Sequence, residues 1–219
     1  MITRIGGAVA EAATVTIPAG HQLGDVILIF AFRDGSATNP TIPTGWTNIT
    51  NTTDGGTLSS VSVGWKLAAS SSETSGTWTN ATGLVCHVYR GLDPIKPFGT
   101  FVGTQNTVAN VQYSGVTITA NQWIVAFVGH VSIDVSISSA PSGFTNITSL
   151  NGATASYGSF DTNGPLTVSY TAQNVAVGGT AGQWQTIMIP MYQTMARLNN
   201  YQSARSISAG VISLGERIR

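Results

Sequence analysis

Charge is scarce in this chain. Only 8% of its 219 residues are Asp, Glu, Lys or Arg, against roughly 25% in an average soluble protein. Nine basic residues balance nine acidic ones, so the formal net charge is zero. The overall basic excess expected of a nucleic-acid binder is therefore missing. A hydrophobic fraction of 42% argues against a disordered chain and is enough to build a core. The single cysteine, Cys86, excludes an intrachain disulfide framework and any multi-cysteine zinc site. Long apolar runs are missing too. The longest, Val26 to Phe32, is seven residues, where about 20 are needed to span a bilayer as a helix. Residues 1–10 lack a basic region followed by an apolar one. The expectation is a soluble protein made in a cytoplasm, with no signal peptide, no transmembrane segment and neither membrane nor nucleic acid as partner.

Helical periodicity is nearly absent, and alternation takes its place. Ser and Thr together supply 51 residues and Gly 25. Val61, Val63, Trp65 and Leu67 alternate with Ser62, Gly64 and Lys66, and Leu166 to Thr171 alternates in the same way. Both read as strands with one wet face. Val26 to Phe32 and Trp123 to Val128 are apolar on both faces and read as central strands. Asp54-Gly55-Gly56, Asn151-Gly152, Asn163-Gly164-Pro165 and Gly178-Gly179 break the runs as turns.

An internal repeat stands out. Pro43-Thr44-Gly45-Trp46-Thr47-Asn48-Ile49-Thr50 returns as Pro141-Ser142-Gly143-Phe144-Thr145-Asn146-Ile147-Thr148. Gly24 to Phe32 matches Asn121 to Gly129 at nearly the same offset, and each is preceded by a short Thr-Ile strand, Thr14 to Ile17 and Thr117 to Thr119. The halves span 14–92 and 115–192, with 93–114 as linker. Two architectures fit: two tandem sandwiches, or one all-β, jelly-roll-like antiparallel β-sandwich (1–192) made of two intertwined halves. We favour the single sandwich, because each half alone would leave a large apolar face wet.

Residues 193–219 lie outside the repeat. They hold four arginines, Arg197, Arg205, Arg217 and Arg219, against one acid, Glu216, and are spotted with Ile207, Val211 and Leu214. This reads as an extended C-terminal arm whose four arginines, with Ile207, Val211 and Leu214, bind a neighbouring subunit.

Catalytic signatures are missing: no phosphate-binding loop, no H-E-x-x-H, no G-x-S-x-G. Cys86 and His87 are adjacent in a strand and point to opposite faces, so they do not form a nucleophile–base pair. The carboxylates are few and scattered, with Asp54 and Asp161 in turn-like settings. No cofactor, no metal and no enzymatic activity are expected. Trp46 and Trp65 read as core residues, while Trp78, flanked by polar residues, is the candidate for stacking on a sugar.

The order of Gly24-Asp25 leading an apolar strand, Pro43-x-Gly45-Trp46-Thr47, the alternating Val61 to Leu67 strand and Val88-Tyr89-Arg90-Gly91 resembles β-sandwich modules of tailed-bacteriophage virion structural proteins, in capsid decoration, minor tail and fibre-associated roles. The resemblance covers about 15–192, although the second half lacks the closing Tyr-Arg-Gly. It implies a non-enzymatic virion protein, foremost a capsid decoration (cement) protein. Such a protein would be present as a homo-oligomer or in many copies and contact the major capsid protein or other virion proteins. The alternative is a tail or fibre component that binds a host glycan.

Overall fold

The computed structural model describes residues 1–119 and 121–194. Twelve strands and no helix occur among them. In chain order they are β1 (Thr3–Ala10), β2 (Val26–Asp34), β3 (Thr47–Thr53), β4 (Ser59–Leu67), β5 (Gly83–Arg90), β6 (Val102–Asn106), β7 (Asn110–Tyr113), β8 (Trp123–His130), β9 (Thr145–Asn151), β10 (Ser156–Asp161), β11 (Gln173–Ala176) and β12 (Trp184–Met191). No helix long and apolar enough to cross a membrane is present in the described residues.

The strands form two five-stranded antiparallel sheets, ordered β1-β5-β2-β4-β3 and β6-β12-β8-β10-β9, and a small β11-β7 pair. The two runs that are apolar on both faces, β2 and β8, are the central strands. Sheet packing puts β2 on β8, β5 on β10, β4 on β12 and β1 on β9. That is the pattern an approximate two-fold axis between β2 and β8 produces. Phe30 and Phe127 stack face to face at this centre, ring centroids 5.0 Å apart and 6° from parallel.

The halves are not intertwined. Every strand of the first sheet comes from residues 3–90 and every strand of the second from 102–191. A jelly roll of interleaved halves would draw each sheet from both. The apolar faces predicted to need each other do meet, as Val26, Leu28, Phe30 and Phe32 pack on Val125, Phe127, Tyr157 and Ile187 in one core. Whole sheets cover each other rather than exchanging strands.

Other expectations are corrected at the margins. Residues 93–114 are not merely a linker, since they carry β6 and β7. Thr14 to Ile17 is no strand; it lies as an extended strap across the outer face of the first sheet. Val15 and Ile17 pack there on Ile27, Ile29 and Trp78, and Val15 N–H donates to Ser75 Oγ at 3.0 Å. Thr117 to Thr119 is no strand either, and Leu166 to Thr171 makes only two isolated bridges, Tyr170 with Val116 and Leu166 with Gln122. Nor is the outer face of β4 wet, because Ser60 and Ser62 are fully buried and donate to the carbonyls of Thr38 and Pro40. A loop laid over the sheet satisfies these hydroxyls, as burial demands.

Both copies of the Pro-x-Gly motif fold alike. Trp46 N–H donates to Pro43 O and Phe144 N–H to Pro141 O. Gly45 and Gly143 sit at φ +85° and +86°, a region open to glycine at little cost. The aromatic that follows each glycine makes an edge contact, Trp46 with Trp78 and Phe144 with Tyr170.

The residues missing from the second half have a structural counterpart. Asp25, 1% exposed, takes both prongs of Arg90 at 2.8 Å and the Gln22 N–H at 2.9 Å. In the second half Gln122 accepts the Thr119 N–H at 3.0 Å in the same local geometry, and no arginine among the described residues bonds to it. A buried carboxylate needs a cation, whereas a carboxamide does not. Arg90→Ala is therefore expected to lower stability, because it leaves the buried Asp25 carboxylate without its cation, and by less than at a fully buried pair because the Arg90 side chain is 40% exposed. Adding Asp25→Gln should restore part of it. Urea unfolding of the single and double variants checks this, and a double variant no more stable than Arg90→Ala contradicts it.

Candidate functional site

The densest group of ionisable side chains lies between the sheets, at the seam where β1 meets β9. Arg4 comes from β1, His87 and Tyr89 from β5, Asn146 and Thr148 from β9, and Asp161 from the end of β10. Gly7, on the same strand as Arg4, leaves space for the arginine and for Thr148, which a side chain there would fill. Arg4 donates through Nη2 to Thr148 Oγ1 at 2.8 Å and through Nε to His87 Nδ1 at 3.3 Å, and Nε lies 3.4 Å from Asp161 Oδ2. Tyr89 Oη donates to Asp161 Oδ2 at 3.0 Å, and Asn146 Nδ2 to Oδ1 at 2.7 Å. The Asn163 N–H closes the set at 2.9 Å.

Burial sets the protonation states here. His87, Tyr89 and Asp161 are all fully buried. Burial, with the Arg4 charge second, pushes the His87 imidazolium down to about 3. Burial raises the Asp161 carboxyl, against the pull of its hydrogen bonds and Arg4. Burial together with the Asp161 charge raises the Tyr89 phenol. Because Nδ1 of His87 accepts from Arg4, the imidazole proton sits on Nε2, which has no partner among the described residues. Arg4, Asn146 and Thr148 are half-buried at the rim of the seam. The cluster closes His87, Tyr89 and Asp161 off from solvent. It works as a polar latch joining the sheets.

Three other acids are spent on architecture as well. Glu11 clamps the β9–β10 turn through the N–H groups of Ala153 and Thr154, Asp54 caps three N–H groups of its own turn, and Asp134 accepts from Thr180. Asp161 does cap Asn163 as a turn residue, and in addition holds the latch, which its sequence setting does not reveal. Among the described residues no three His, Cys, Asp or Glu side chains are placed to hold a metal ion.

Trp78 is not a ligand platform. It is fully buried, its indole N–H donates to Ser75 O at 3.1 Å, and its ring meets Trp46 edge-on. Its polar neighbours face outward from a strap while the ring turns under it. Trp65 is half-buried against Phe98. Cys86 is fully buried among the outer apolar residues of the first sheet, where burial pushes its thiol up. Arg197, Arg205, Ile207, Val211, Leu214, Arg217 and Arg219 lie outside the described residues.

Two grooves went unread in the sequence. One, of about 340 Å³, lies beside the β6–β7 hairpin and is lined by Asn106, Asn110, Gln112 and Asn174 with Val108 and Trp184. The other, of about 290 Å³, lies between the edge strands β3 and β6, over Thr52, Thr53, Thr104, Gln105 and Gln185 with Phe101 at its side. Below it Gln185 bridges the sheets, accepting from Thr52 Oγ1 at 3.0 Å and donating to Ser59 Oγ at 2.8 Å. Among the described residues neither groove is lined by a charged side chain. Three amides of the first lie within 106–112, and the fourth, Asn174, joins them only through the β7–β11 pairing, which the sequence does not show. No protein-family model, no curated protein and no solved structure matches the chain.

Proposed function

We propose that this chain is a non-enzymatic structural protein of a tailed-phage virion, foremost a capsid decoration protein held in many copies against the major capsid protein or other virion proteins. What supports the reading is the use to which the motif of the resemblance is put. Asp25 and Arg90 form the fork under β2, Gly45 makes the turn into β3, and Trp46 packs on Trp78. Every one of these residues is spent on architecture. Two stacked sheets whose outer faces are covered by straps make a stiff, nearly uncharged body suited to repeated contacts, where many weak contacts add by multivalency.

We further read the sandwich as an internal duplication. The two sheets have the same strand order when β1 to β5 are set against β6, β8, β9, β10 and β12. Both also break register at the strand that follows the Pro-x-Gly turn. A jelly-roll description adds nothing that this pairing of like sheets lacks.

The basic C-terminal segment, 193–219, is in this reading the arm that reaches a neighbour. The cut that tests it belongs after Thr194, because the Thr194 N–H and hydroxyl donate to Gly91 O and Leu92 O. A chain ending at 194 is expected to keep its thermal unfolding midpoint within about 2 °C and to lose particle binding in a co-sedimentation assay with host-derived virions. Undiminished co-sedimentation sinks the arm. Electron cryomicroscopy that finds the chain nowhere on the particle sinks the virion reading itself.

A further inference from the structure

We propose that the groove beside the β6–β7 hairpin is a binding site for a neutral oligosaccharide. This goes beyond the structural reading above and does not depend on it. Four carboxamides converge on the groove: Asn106 from the end of β6, Asn110 and Gln112 from β7, and Asn174 from β11. Gln112 and Asn174 are direct partners across the β7–β11 pair, so their side chains stand side by side on one face. Asn110, two residues from Gln112, shares that face. The opposite face carries Val111, Tyr113 and Val175 into the core and fixes the platform.

Among the described residues the carboxamides of Asn110, Gln112 and Asn174 make no hydrogen bond, and all three residues are exposed. Each carboxamide offers a donor pair and an acceptor. That matches vicinal hydroxyls, which donate and accept in turn. The wall is apolar at Val108, half-exposed, and at the edge of Trp184, whose Nε1–H is tied to Val108 O at 2.9 Å. The bond holds the hairpin tip in place and presents an aliphatic surface for the C–H face of a pyranose. A volume of about 340 Å³ is at the lower end for ligand sites, enough for one or two sugar units of a longer chain. None of the described lining residues is charged, so none of them neutralises a carboxylate, sulfate or phosphate, and their chemistry selects a neutral sugar.

The test is calorimetric titration of the full chain with maltotetraose, cellotetraose, mannotetraose and the tetramer of N-acetylglucosamine, with sialyllactose as the acidic comparator. At least one neutral tetrasaccharide is expected to bind, and the Asn110→Ala/Asn174→Ala variant should bind it at least tenfold more weakly. Both residues are exposed, so the variant should keep the wild-type circular dichroism spectrum. Thr53→Ala, in the other groove, should bind like wild type. The proposal falls if no neutral tetrasaccharide binds at millimolar concentration, if the double variant binds undiminished, if Thr53→Ala weakens binding as much, or if sialyllactose is preferred.

Discussion

Gly129→Val is expected to cost about 3 kcal/mol or more of stability, the upper range for overpacking a tight core. The reason is an exchange of rings between the sheets. A Cβ at Gly129, on β8, would overlap the Phe32 ring of the first sheet, and a Cβ at Gly83, on β5, would overlap the Tyr157 ring of the second. Gly83 pairs with Phe32 along the first sheet and Gly129 with Tyr157 along the second. Each sheet therefore sets a bulky ring beside a glycine, and each glycine receives the ring of the opposing sheet. The two rings also touch, centroids 6.4 Å apart. Phe32 is in contact with Phe127, which is itself stacked on Phe30, so the ring has no room to retreat. Phe32→Leu in the Gly129→Val background should recover 1 kcal/mol or more as the smaller side chain vacates the overlap, a coupling of the size seen between touching residues. Phe160→Leu, which faces the outer core with Tyr113, should recover nothing. Urea midpoints of the four proteins decide it, and equal rescue by both leucines would show that the overlap is not the cause.

Such an exchange is invisible in the sequence, where Gly83 and Gly129 look like any strand glycine. What was legible rests on local period. Runs that are apolar on both faces became the centres of the sheets, and the Pro-x-Gly-aromatic repeat became two equivalent turns. The extended straps were read as strands for one physical reason. Alternating apolar residues serve equally well in a strand and in an extended segment lying over a sheet, and Val15, Ile17, Leu166 and Tyr170 are of the second kind. The latch was unreadable because its partners are far apart in the chain: Tyr89 and Asp161 are separated by 72 residues, Arg4 and Thr148 by 144. The one local trace of long-range order was the departure between the halves. Where Tyr-Arg-Gly is lost, the buried acid beside β2 gives way to the neutral Gln122 beside β8.

The latch also sets how the fold meets acid. Lowering the pH from 7 to 5 is expected to reduce the stability of the wild-type chain by about 2 kcal/mol through His87 alone. In the folded protein the imidazolium is held down to about 3, against 6.5 for the free side chain. A base whose folded value is depressed contributes stability that is fully present above 6.5 and is lost as pH falls from there toward 3. Over that window the unfolded chain takes up a proton that the folded chain refuses, and each pH unit below 6.5 removes about 1.4 kcal/mol. The refusal has a geometric origin. The groups facing His87 are the Arg4 guanidinium, whose Nε–H already occupies Nδ1, the Tyr89 ring stacked 5.8 Å away, and beyond them the Asp161 carboxylate, committed to Tyr89, Asn146 and Arg4. A proton added at Nδ1 would displace the Arg4 bond and set two cations against each other in a dry seam. Asp161 acts in the opposite sense, since its raised carboxyl favours the protonated form in the folded chain and so softens the loss at the acid end. His130, depressed by burial like His87, adds to the loss. His87→Leu removes one of the two depressed bases, so its stability should fall less steeply than that of wild type between pH 6.5 and 5, a range above the ordinary carboxylates. Urea unfolding of both proteins at half-unit pH steps measures the difference, and parallel slopes would place the acid sensitivity elsewhere.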